Sequence, residues 1–148
     1  MLRSLKRMLG TPAGETVLPP QERQHLQLAV AVLLHEARRA DSEEGGEESE
    51  AGVAALRALF GLGREEAARL LAQGRERAQQ LSSFYAPVSV IKRDYSMDER
   101  IQLIEHLWRV AFADGRLNLY EDHYVRKIAH LLYVPNTQSM LARNRARS

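Results

Sequence analysis

A chain of 148 residues with 45% hydrophobic and 27% charged side chains is long enough to bury one core and falls in the globular range. It has no cysteine, which excludes disulfides, thiolate metal sites and cysteine nucleophiles and fits a reducing compartment. A net charge of +2 is too small to point to a nucleic-acid partner.

Along the chain, Leu2, Leu5, Met8 and Leu9 alternate with Arg3, Lys6 and Arg7 as a short basic amphipathic segment. Such a segment suits an anionic membrane surface or a partner, or a helix docked on the domain. Gly10, Pro12, Gly14, Pro19 and Pro20 follow as a linker, so we divide the chain into a segment over 1–20 and a helical domain over 21–148. The longest apolar run, Leu28–Leu34, is far short of the ~20 residues that span a bilayer. The N-terminus lacks a continuous signal core, so a cytoplasmic location is expected.

Leu26, Val30, Leu33, Ala37 and Ala40 recur at helical spacing and predict a helix from about Gln21 to Ala40. Leu28 and Val32 widen its apolar stripe, which marks it as central. An acidic loop comes next, with Asp41, Glu43, Glu44, Glu47, Glu48 and Glu50 and no base among them. A second helix is expected over about 48–59 and ends at Gly61. A third covers about 64–81, with Glu65 and Glu66 in the first turn, where the helix dipole favours anions.

Pro87 opens a short helix to about Asp94. Ser96 with Glu99 is a capping box that starts the next helix, in which Ile101, Ile104, Trp108 and Ala111 form one face. This helix ends at Ala113-Asp114-Gly115. Asn118 with Glu121 is a second such box, opening a helix to about Tyr133 before Pro135 interrupts. A last helix covers about 137–145 and uses Met140 and Leu141. No run alternates as a strand does, so the fold class is all-α, a compact bundle of about seven helices.

Two segments look alike: Leu34–Asp41 and Leu107–Asp114 are both helix ends closing in Ala-Asp. Aligning Asp41 with Asp114 sets Glu48 on Glu121, seven residues later in each half. Two copies of helix–acidic loop–helix suggest a pseudo-twofold repeat. The first loop departs from the second by being Gly-rich, so Glu47, Glu48 and Glu50 all compete for the position of Glu121.

The segments Glu99-Arg100-Ile101, Leu107–Gly115, Glu121 and Ile128–Leu132, with Leu33–Asp41, resemble the tellurite-resistance protein B (TerB-like) family over about residues 24–146. The resemblance implies a compact helical bundle, a conserved acidic patch and an association with tellurite and other stress resistance. It implies no enzymatic reaction.

A carboxylate at a helix C-terminus faces the negative end of the dipole, which costs about 0.3–1 kcal/mol. Asp41 and Asp114 stand there and need an arginine, a helix N-terminus or a cation to offset them. Ca²⁺ and Mg²⁺ take such oxygens, so Asp41, Glu48, Asp114 and Glu121 form the candidate metal set. They do not make an EF-hand: the twelfth position is Gly52 counted from Asp41 and Val125 counted from Asp114. Structural roles compete throughout. Glu121 completes a cap, Asp114 forms a turn with Gly115, and Glu43–Glu50 is a solvated loop.

Glu36 and Arg109 align in the two halves and are expected to form a buried pair. The five histidines lack any His-x-x-x-His pair, and neither a nucleophile motif nor a phosphate loop is present. The chain is therefore expected to be a non-enzymatic binding module for a divalent cation or a protein partner. The alternative is an adaptor that works through the basic residues Arg3, Lys6 and Arg7 on a membrane or a complex.

Overall fold

The computed structural model describes residues 18–38, 49–113, 115 and 117–147. Seven helices stand among them: α1 (Pro20–Glu36), α2 (Glu50–Phe60), α3 (Arg64–Gln80), α4 (Tyr85–Asp94), α5 (Met97–Ala111), α6 (Leu119–Leu131) and α7 (Asn136–Arg147). The described residues contain no strand, so the expected all-α bundle is the fold.

The central helix is α1. Ala29 through Leu34 are buried in unbroken succession, so it has no solvent face in this stretch. It packs on α3 and α4, while α5 packs on α6 and α7 and α2 bridges α3 and α5. One core runs through all seven, from Leu26 and Leu33 through Leu56, Leu71 and Ile91 to Leu107, Trp108 and Ile128. At the α1–α3 crossing the backbones nearly touch. A Cβ on Gly74 would lie 2.6 Å from the Ala31 carbonyl carbon. Only glycine fits there, although glycine weakens a helix interior by up to about 1 kcal/mol relative to alanine.

The helix ends follow their local chemistry. Ser96 and Glu99 form the expected reciprocal cap of α5, and Asn118 and Glu121 do so for α6. Gly61 ends α2 in the left-handed conformation, φ 68°. The cap of α2 is Ser49, whose hydroxyl accepts from the Gly52 amide at 2.9 Å, so this helix begins at Glu50 rather than at Glu48.

The end of α6 is a Schellman turn without glycine. The Tyr133 amide donates to the His130 carbonyl at 3.0 Å and the Val134 amide to the Ala129 carbonyl at 2.9 Å. Tyr133 itself takes φ 63°, with the Lys92 ammonium 4.4 Å from its ring centroid. Buried Val134 then leads into Pro135.

Three expectations are corrected. Helix α1 stops at Glu36 rather than Ala40, because the amides of Ala37 and Arg38 turn back on Leu33, Leu34 and His35. Arg109 does not pair with Glu36. It bonds Glu105 one turn earlier on the surface, where a charge keeps its hydration. The buried positions of α7 are Ser139 and Ala142, while Leu141 is exposed, since small residues let α7 lie close on α5.

Candidate functional site

Four carboxylates were expected to share a site. Of these, Asp41, Glu48 and Asp114 lie outside the described residues, as do Arg3, Lys6 and Arg7 of the basic segment. Glu121 is described, and it is 1% exposed. Its amide donates to the Asn118 side chain at 2.8 Å, and its Oε1 accepts from the Asn118 amide at 3.4 Å. The cap is therefore real, and it holds the carboxylate inward. Glu121 continues the buried stripe of Tyr124, Val125 and Ile128, so its inward direction comes from helical register.

The next turn of α6 reaches the other half of the chain. The Tyr124 hydroxyl donates to the Leu33 carbonyl in the last turn of α1 at 2.8 Å. Its ring meets Phe84 edge-on, with centroids 5.5 Å apart. Burial, the Glu36 carboxylate and Tyr120 hold its phenol well above the usual tyrosine range, so the hydroxyl keeps its proton and donates. The carbonyl of Leu33 also accepts from the Ala37 amide at 3.2 Å, where the chain leaves α1. The described root of the first acidic loop, Glu36 to Arg38, thus lies against the helix that carries Glu121.

What this end of the bundle can do is chemically narrow. Glu121 offers hard oxygen from a buried carboxylate, which suits a hard cation or a capped turn. Among the described residues no three His, Asp or Glu side chains gather as a metal-holding group.

A family model described as "Tellurite resistance protein TerB" matches residues 27–144, about four-fifths of the chain. The chain belongs to the TerB family. Comparison with curated proteins and with solved structures gives no match. The matched span runs from within α1 into α7, so the TerB match takes in both acidic loops and the helices that bound them.

Sequence reasoning missed two residues of this TerB chain. Tyr124 lies three residues after Glu121, on the same face, and that spacing was the available signal. Arg100 lies where two helices end. It donates to the carbonyls of Tyr95 at 3.2 Å, Leu132 at 3.2 Å and Lys92 at 2.9 Å. Nothing in its local sequence marks that role. No described helix is long and apolar enough to cross a membrane.

Proposed function

We propose that this TerB-family chain is a non-enzymatic binding module that takes a divalent cation, Ca²⁺ or Mg²⁺, between its two acidic loops. The observation that carries this reading is the hydrogen bond from Tyr124 to Leu33, which sets the exit of α1 beside the helix bearing Glu121. The described chain on either side of that bond, Glu36 to Arg38 and Asn118 to Glu121, leads to the two acidic segments. Carboxylates converging there would repel one another, and a hard cation is the ligand that offsets this repulsion. Under this reading Asp41, Glu48, Asp114 and Glu121 supply the oxygens, and the family's association with tellurite resistance is served by binding.

The test is thermal melting of the full chain after chelation, then with Ca²⁺ or Mg²⁺ restored. A ligand that binds only the folded state at 100 times its Kd adds about 2.7 kcal/mol. Melting should fall on chelation and recover with the ion. Asp114→Asn should remove most of the recovery, while Glu121→Gln keeps the capping acceptor and loses the charge. An identical melt in chelator and in excess of either ion would exclude the cation reading.

A further inference from the structure

We infer that the seam between α4 and α6 is a binding face for single-stranded nucleic acid. It is independent of the cation reading and involves no residue of the acidic loops.

Two contacts pin α4 alongside α6. At one end the Phe84 and Tyr124 rings meet with centroids 5.5 Å apart. At the other, Arg100 donates to the carbonyls of Lys92 at 2.9 Å and Leu132 at 3.2 Å, and the Lys92 ammonium lies 4.4 Å from the centroid of the Tyr133 ring. These contacts are eight residues apart on either helix, about 12 Å of rise. The helices therefore run side by side in the same direction.

The stripes that border the seam carry rings and lysines. On α4 the stripe is Tyr85, Ser89 and Lys92, at helical spacing. On α6 it is Tyr120 and Lys127, one turn to either side of Tyr124, and the turn after the helix adds Tyr133. Tyr85 is 77% exposed, Tyr133 68% and Tyr120 40%. Lys127 is exposed and Lys92 half-buried. No carboxylate lies on these stripes. Asp94 and Glu121 are buried, and Asp122 is turned toward α7, between Arg126 at 2.8 Å and Arg143 at 3.7 Å.

Tyr133 is the residue of this face that the fold least requires. Its φ of 63° lies in the left-handed region, where glycine is the ordinary occupant of such a turn. Lys92 covers one face of the ring, and most of the rest is in solvent. An outlier of this kind points to a use for the side chain.

Exposed rings interleaved with lysines match one polymer best. A single strand carries a π-face on every base and a charge on every phosphate, and its binding sites combine stacking aromatics with a cationic track. A duplex hides its base faces in the stack, an acidic peptide offers charge without rings, and an anionic membrane takes inserted aliphatic side chains where this seam presents tyrosines. The net charge of +2 conceals such a face because it sums over all of them.

The experiment is fluorescence anisotropy of labelled oligo-dT and oligo-U of about twelve nucleotides, titrated with the full chain in chelator over a range of salt. Saturable binding should weaken with salt, and Lys127→Gln should make the logarithmic salt slope shallower by about 0.7, the value of one phosphate contact on a single strand. Tyr85→Ala and Tyr133→Gly should each weaken binding roughly five- to hundredfold. Tyr133→Gly should keep its melting temperature, since glycine suits that turn, so its loss of binding is not a loss of fold. Arg64→Gln, which removes a cation at the far end of α3, should change nothing. The tighter of the two oligomers identifies the sugar, and equal affinity means that stacking and phosphate contacts suffice. Failure to bind either oligomer overturns the inference. So does affinity that survives both tyrosine variants, or tighter binding to polyglutamate or to phosphatidylserine vesicles, which would make the seam a site for an acidic protein or a membrane.

Discussion

Arg100 shows how much one side chain holds at the end of two helices. Its guanidinium donates to three carbonyls, those of Lys92 and Tyr95 closing α4 and that of Leu132 closing α6. Hydrogen bonds to a charged group contribute about 1.5–3 kcal/mol each before the cost of ordering is taken off. A lysine cannot span three acceptors from one planar fork. Arg100→Lys should therefore lower stability by about 1–3 kcal/mol in denaturant unfolding, and an unchanged midpoint would mean the three carbonyls are equally well served by water.

Histidine makes the same scale visible through pH. Burial first, and then Arg75, holds His35 below its ordinary 6.5. Burial and Arg109 do so for His106, against the smaller opposing pull of Glu105. Between the folded and unfolded values the unfolded chain binds more protons, so stability is full above pH 6.5 and is lost as pH falls below it. Melting temperature should be lower at about pH 5.5 than at about pH 7.5, and the double variant His35→Gln, His106→Gln should flatten that slope. A slope that persists in the double variant would assign it to other groups.

The residue-level signals in the sequence differed in kind. The two capping boxes were legible because they are local, three residues from donor to acceptor. The burial of Glu121 was equally legible from its register with Val125 and Ile128. The partners of Arg100 and Tyr124 were not legible, since they lie up to 91 residues away.

At the scale of the element, the close crossing of α1 and α3 invites a direct test. Gly74 lies in the interior of α3, where alanine is the better helix former by about 1 kcal/mol. The new methyl would sit 2.6 Å, 2.7 Å and 2.8 Å from the carbonyl carbon, Cβ and carbonyl oxygen of Ala31. Backbone atoms cannot rotate aside, so α1 and α3 must separate, and overpacking of this kind costs about 1–3 kcal/mol. The clash outweighs the propensity gain. Gly74→Ala should lower the melting temperature by about 2–8 °C, whereas Gln73→Ala on the exposed side of the same helix should leave it within error. A stabilised Gly74→Ala would show that the crossing has room to open.

Helix existence and order were readable from the 3.6-residue period, since every expected helix is present within a few residues of its bounds. The boundaries that moved did so for local reasons. Ser49 took the cap of α2, and Tyr85 and Ala86 joined α4 ahead of Pro87, which a first turn tolerates because its amide has no helical partner there. The apolar pattern of α7 misled in the opposite direction: Leu141 is half exposed because Ala142 and Ser139 face the core.

At the scale of the whole molecule, α7 closes the bundle over α5 and α6, and a single side chain joins all three. The Arg143 guanidinium lies 5.5 Å from the Trp108 ring centroid and 5.8 Å from that of Phe112, both contributed from α5 and its cap. It also sits 3.7 Å from the Asp122 carboxylate of α6, which Arg126 binds at 2.8 Å. Beneath it, Trp108 is fully buried, and its indole N–H donates to the Ser139 hydroxyl at 3.4 Å. Cation–π contacts contribute about 0.5–2 kcal/mol as they are desolvated, and arginine stacks on rings as lysine does not. Arg143→Ala should therefore loosen α7, cost about 1–2 kcal/mol and expose the indole. The chain has one tryptophan, so its emission reports this contact alone. The spectrum should shift to the red in Arg143→Ala, less so in Arg143→Lys, and not in Arg147→Ala, whose side chain is exposed at the end of α7. Equal spectra for all three would mean that Ser139 and Ala142 alone hold α7 down, and that Arg143 only covers a seam already sealed.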